Sequence, residues 1–180
     1  MKKIKVSILV STYNWPEALE LSIRSMFAQT ILPDEIVIAD DGSKQDTKDL
    51  INKLRKETTI PIKHIWHEDE GFRRTMILNK AIAQVSADYI LQVDGDVILS
   101  PHFVSDHLDL AEKNYFVCGS RVKLSQETTQ KLMASKNFKL NIWNMPASFM
   151  LNSLRSKFLR HYMALRYAKK IDHLRGCNMA

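Results

Sequence analysis

The stretch Tyr89-Ile90-Leu91-Gln92-Val93-Asp94-Gly95-Asp96 decides how the rest of the chain is read. Its β-branched and aromatic content predicts a buried strand over residues 89–93, and that strand stops on two carboxylates one residue apart. Such a pair repels itself unless something positive lies between, and oxygen ligands at this spacing suit Mg²⁺ or Mn²⁺ carrying a polyphosphate. The plain alternative is a turn that holds nothing.

Working outward, the same pattern of apolar strand and polar end recurs upstream. Residues 6–10 read as a strand running into Ser11-Thr12-Tyr13-Asn14, and residues 35–39 as a second ending in Asp40-Asp41-Gly42-Ser43. Pro61 precedes a third strand over 62–66. Helical spacing fills the gaps: Leu19, Ile23, Met26 and Phe27 behind Pro16; Leu50, Ile51 and Leu54 behind a Ser43/Asp46 capping signal; Ile77, Leu78, Ala81 and Ile82 after the polar run 68–74. Downstream, Pro101 opens a helix bearing Phe103, Val104, Leu108 and Ala111, and residues 115–119 read as a fifth strand.

Strand and helix in alternation predict an α/β chain with a mainly parallel, Rossmann-like sheet flanked by helices, because parallel neighbours need a crossover. Ligands bind such sheets beyond the carboxyl ends of the strands, so the three polar ends should open on one edge. Each also has a purely structural reading: Ser11 to Asn14 as a helix cap, Asp40 to Ser43 as a turn.

The 180 residues make one domain by size. Their net charge of +6 is unevenly spread: the first 148 residues hold 19 basic and 19 acidic side chains, the last 32 hold seven basic residues and Asp172. That excludes a surface basic all over, and no basic stretch interleaved with aromatics points to nucleic acid. Two cysteines, Cys118 and Cys177, without ligand spacing, suit a reducing compartment. No run of apolar residues is long enough to cross a membrane, so a cytoplasmic location is expected. In residues 149–171, Leu151, Leu154, Phe158, Tyr162 and Leu165 make an apolar stripe ringed by Arg and Lys, which reads as a packed helix or as a peripheral contact with an anionic membrane. His102 and His107 are spaced five apart, so they form no metal-binding pair on one helix face; His64 and His67 flank the third strand, and His161 or His173 is a candidate third metal ligand. Trp143, Met145 and Phe149 read as core packing or as a stacking surface for a sugar. Neither GxGxxG nor GxxxxGK[ST] occurs.

Taken together, Ser11-Thr12-Tyr13-Asn14, Val37-Ile38-Ala39-Asp40-Asp41-Gly42-Ser43, the segment 71–79 and Asp94-Gly95-Asp96 resemble the family 2 glycosyltransferases of GT-A fold, in family order over roughly residues 3–121. The resemblance implies an inverting, metal-dependent transfer from a nucleoside-diphosphate sugar, a UDP-sugar being expected, to a hydroxyl of a glycan or lipid-linked acceptor. It implies that Ser11, Tyr13, Asn14, Asp40 and Asp41 hold base and ribose. Asp94 would lie near ribose and metal, and Asp96 would ligate Mg²⁺ or Mn²⁺. Arg73, or Arg74 if the alignment slips by one residue, would reach the phosphates.

On this reading residues 1–121 are the nucleotide-sugar-binding core, 122–173 a basic helical insert, and 174–180 the start of an acceptor-binding half. No candidate general base appears, so it is expected beyond Ala180 and the fold to be incomplete at that end. Two rivals follow: a module that binds donor without transferring it, and a phosphatase of haloacid dehalogenase type with Asp94 as nucleophile.

Overall fold

The computed structural model describes residues 4–119 and 121–138, with the backbone of 178–179. The basic segment 149–171, and with it Trp143, Met145, Phe149, His161 and His173, lies outside the described residues. Order along the chain is β1 (Val6–Thr12), α1 (Pro16–Phe27), β2 (Glu35–Asp40), α2 (Gln45–Arg55), β3 (Ile62–Trp66), α3 (Arg74–Ile82), β4 (Tyr89–Asp94), α4 (Phe103–Leu110), α5 (Gln126–Ser135) and β5 (Asn178–Met179).

The sheet order is β3-β2-β1-β4-β5. β1, β2, β3 and β4 run parallel, and β5 pairs antiparallel with β4 through Gln92 and Val93. Alternation along the strands explains the two-sided burial. Val6, Ile8 and Val10 of β1 pack with Leu19, Ile23, Met26, Ile51, Leu54, Phe103 and Val104 on one face, whereas Leu9, Val37 and Ala39 meet Ile77 and Ala81 of α3 on the other. A strand covered on both faces must be apolar at successive positions, which is why residues 6–10 read as an almost unbroken run.

The amino-terminal edge of the sheet is stapled by carboxylates. Asp34 accepts from the Val6 amide at 2.8 Å and Asp88 from that of Lys5 at 3.2 Å. Glu35, 3% exposed, accepts from the Ser86 amide and hydroxyl and pairs with the Lys63 ammonium at 2.8 Å. Burial alone would raise its pKa, but the Lys63 and Ser86 hydrogen bonds outweigh that and hold it below the usual carboxylate range.

Three local expectations are corrected. The segment 115–119 is not a strand: Cys118 forms one isolated bridge, Tyr115 and Phe116 stay largely exposed, and β5 occupies the edge of β4. The run Tyr115 to Cys118 is apolar, but with Tyr115 66% and Phe116 54% exposed it is not packed into the core as a strand of the sheet would be. The N-cap of α1 is Trp15, with no side-chain cap; Asn14 adopts a left-handed conformation, its amide donating to Ser43 Oγ and its Oδ1 accepting from the Lys44 amide, both at 2.9 Å. Ser43 is drawn off by the same contact, so Lys44 rather than Ser43 stands at the N-cap of α2 and makes no side-chain cap. Two residues suited to capping are spent instead on joining the loops after β1 and β2.

Candidate functional site

Parallel register sets the site. Ser11 of β1 lies opposite Ala39 of β2 on one side and Asp94 of β4 on the other, and Thr12 lies opposite Asp40. The chain proceeds from β1 outward through β2 to β3, then returns to place β4 on the other flank of β1, so the strand order reverses beside β1. Crevices form at such reversals because the connections leave on opposite faces.

A cleft of about 360 Å³ opens there, lined by Ser11, Tyr13, Asp41, Arg74, Asp94 and Asp96 together with Trp15, Phe72 and the floor residues Ala18, Ala39 and Ile77. That volume is within the roughly 300–1,000 Å³ typical of small-molecule sites.

At one end, Asp41 is buried but not spent. His67 Nε2 lies 2.7 Å from its Oδ1, and the Arg73 amide donates to its Oδ2 at 3.0 Å. Each oxygen retains a lone pair, and the two contacts hold the carboxylate in one orientation. Tyr13, half-exposed at the mouth, donates its hydroxyl to Asp69 Oδ2 at 2.9 Å. That bond pushes the phenol above its ordinary range and holds Asp69 below the ordinary carboxylate range.

At the other end, Ser11 Oγ donates to Asp94 Oδ1 at 3.1 Å, and the Arg74 guanidinium reaches both groups. Gly95 is required between the aspartates. Its amide donates to the Ser11 carbonyl at 2.8 Å, and a Cβ there would sit 2.8 Å from that same oxygen. Any side chain would drive β1 and the turn apart, so the close approach fixes Asp94 and exposed Asp96 at the lip of the cleft. Two carboxylates with an open side form an oxygen-only donor set that fits Mg²⁺ or Mn²⁺, ions that take one or two protein carboxylates and complete their shell from phosphate and water. Among the described residues no group of three or more His, Cys, Asp or Glu gathers to hold a metal unaided.

Of the residues expected in the site, the structure brings Ser11, Tyr13, Asp41, Arg74, Asp94 and Asp96 together and leaves three outside the lining. Asp40 is 1% exposed, with Oδ1 accepting from the Ser43 amide and Oδ2 lying 2.7 Å from His64 Nε2. Asn14 serves the loop junction described above. Of the two arginines, Arg74 faces the cleft, while the Arg73 guanidinium turns back to Glu70 and the Glu68 carbonyl. Asp69 and Phe72 were not singled out by sequence reasoning, and His67 was placed only as a flank of the third strand, with no role in the site. Asp69 was visible only as part of the polar run 68–74, and Phe72 only as an aromatic beside a glycine.

A mainly parallel sheet with helices on both faces and a cleft over the β1–β4 junction is the architecture of the GT-A fold. The chain belongs to glycosyl transferase family 2, whose sequence profile matches residues 7–173. Chondroitin synthase of Escherichia coli is 24% identical over 181 residues, covering 96% of this chain and 26% of that protein. An uncharacterized glycosyltransferase of Nostoc is 32% identical over 99 residues, covering 55% of this chain and 30% of that protein. The chain thus spans less than a third of the length of either curated relative. Among solved structures, the mannosyltransferase of Pyrobaculum calidifontis in complex with GDP-Man and Mn²⁺ superposes with a TM-score of 0.59 at 17% identity, over 76% of this chain and 41% of that one. That likeness is one of fold. Nothing supports the phosphatase alternative: Asp94 stands on the fourth strand, engaged by Ser11 and Arg74, in a chain whose matches are glycosyltransferases.

Proposed function

We propose that this chain binds a nucleoside-diphosphate sugar, UDP-linked in the first instance, and presents its anomeric carbon for metal-dependent, inverting transfer to a hydroxyl. The observation that carries this reading is the convergence of Asp41, Ser11, Arg74, Asp94 and Asp96 in one cleft at the reversal of strand order. The GDP-Man and Mn²⁺ held by the mannosyltransferase of like fold support a diphosphate sugar and a divalent cation here.

Asp41 accepts hydrogen bonds from base or ribose, and Tyr13 packs on the base. Asp94 and Asp96 would hold the cation, with Ser11 fixing the Asp94 carboxylate. When bound, the cation supplies positive charge against the negative charge that grows on the leaving diphosphate. Arg74 meets the same charge from the protein side. The bond from C1 to the acceptor oxygen forms as the bond from C1 to the diphosphate oxygen breaks, and the hydroxyl proton passes to a carboxylate base of the acceptor-binding half. The acceptor is a glycan or lipid-linked sugar met at the cytoplasmic face of a membrane, with the basic segment 149–171 as the support for that placement.

Thermal unfolding with UDP, GDP, UDP-sugars and GDP-sugars, each with and without Mn²⁺, tests the reading. UDP or a UDP-sugar should raise the midpoint only with metal, by the equivalent of about 2.7 kcal/mol at 100 times its Kd. A flat response across the panel would sink the donor site.

A further inference from the structure

We propose that Phe72 forms the second aromatic wall of a slot for the donor's nucleobase, facing Tyr13 across the Asp41 carboxylate. The inference rests on the donor-site reading above and adds to it a residue that sets how the base is gripped.

Phe72 is 90% exposed, more than any other large apolar side chain among the described residues, yet it lines the cleft. A phenyl ring left in water forgoes the burial that nearly every other Phe obtains, so its position asks for a ligand that covers it. Its placement is held from both sides. Gly71 has φ +87°, a conformation side chains rarely adopt, although a Cβ there would meet nothing within 4 Å. The glycine therefore serves the backbone turn alone. The Gly71 amide donates to Asp69 Oδ1 at 3.1 Å, and the Arg73 amide donates to Asp41 Oδ2 at 3.0 Å. Asp69 also accepts from the Tyr13 hydroxyl through its other oxygen. One carboxylate thus ties the Tyr13 ring to the turn that presents Phe72, while the next residue is bonded to the group expected to read the base edge.

The occupant follows from what these groups share. Among the described residues neither Tyr13 nor Phe72 stacks on another ring, which leaves their faces to a flat ligand. Asp41 lines the same cleft and offers an acceptor edge, which suits a planar ring with an N–H on its rim. A pyranose can also stack and donate through its hydroxyls, but in a nucleoside-diphosphate sugar it is bonded to the diphosphate and so belongs at the end of the cleft where Asp94 and Asp96 stand. Along the chain, Phe72 precedes Arg73, bonded to Asp41, and Arg74, which reaches Asp94; this order runs from the base end to the phosphate end.

Titration calorimetry with Mn²⁺ present, using UDP, GDP and inorganic pyrophosphate on the full chain and on Phe72→Ala and Phe72→Tyr, tests the slot. Phe72→Ala should weaken the nucleotide that the wild type binds by roughly 5- to 100-fold, the range seen when a base-stacking aromatic is cut to alanine. Phe72→Tyr should stay within about threefold, and pyrophosphate, which has no base, should bind all three proteins alike. Since Phe72 is exposed, the unfolding midpoint without ligand should not move. Unchanged nucleotide affinity in Phe72→Ala overturns the slot while leaving the donor site standing, as does an equal loss for nucleotide and pyrophosphate. Failure of the wild type to bind any nucleotide overturns both.

Discussion

The two edges of the sheet both bristle with carboxylates, and they use them differently. At the amino-terminal edge Asp34, Glu35 and Asp88 are each taken up by backbone amides, a hydroxyl or Lys63, and they close the fold. At the carboxyl-terminal edge Asp41, Asp94 and Asp96 keep oxygen capacity facing a cleft. Asp40 belongs with the first group although it sits in the second: it is 1% exposed, bonded to Ser43 and His64, and stands outside the cleft lining. Acid residues at strand ends therefore fall into two kinds, and access to the cleft separates them rather than partner count, since Asp40 and Asp41 each hold two partners.

The sharpest way to break that division is Asp40→Ala. If Asp40 is structural, its loss strands the Ser43 amide and His64 inside the protein and should cost about 3 kcal/mol in urea unfolding, with residual nucleotide affinity in the folded fraction little changed. A variant of normal stability that fails to bind nucleotide would move Asp40 to the ligand group. Asp96→Ala should behave in the opposite way: an unchanged midpoint without ligand, and loss of the metal-dependent stabilisation, about 2.7 kcal/mol at 100 times the wild-type Kd.

Glu35→Gln should cost about 1–2 kcal/mol, because the amide keeps an acceptor for Ser86 but gives up the charged pair with Lys63. The same residue carries a pH signature. Its folded pKa is depressed, so its stabilisation is complete above the unfolded Glu value of about 4.3 and is lost as pH falls through the lower folded value. Acid unfolding of the wild type should therefore be steeper below about pH 4 than that of Glu35→Gln. Equal slopes would remove Glu35 from the structural group. The smallest effect is expected from Tyr13→Phe, which deletes the bond to Asp69 at an exposed position: no measurable change in unfolding midpoint, and a two- to threefold loss of nucleotide affinity from a freer ring.

Much of this was legible in the residues because it follows from local rules. The almost unbroken apolar run at 6–10, the i, i+4, i+7 spacing of Leu19, Ile23 and Met26, and Pro16 at the start of α1 produced elements where they were expected. The three polar strand ends were legible as well, since a parallel sheet aligns its carboxyl ends. Partner choice was not. Asn14 and Ser43 look like caps until the two loops are placed side by side, when each finds the other. Arg73 and Arg74 are indistinguishable in a string, and only the direction in which α3 leaves its first turn aims Arg74 at Asp94.

Sequence by itself thus determined the α/β order, the buried faces and the set of acids that meet at one edge, because propensity, hydrophobic period and the parallel-sheet rule act over neighbouring residues. Tertiary structure alone decided which oxygens stay open. It joined His67 and the Arg73 amide to Asp41 across 26 and 32 residues, Ser11 to Asp94 across 83, and left Phe72 uncovered beside them. Those outcomes depend on distances between chain segments far apart in sequence, and such distances exist only after the sheet has closed.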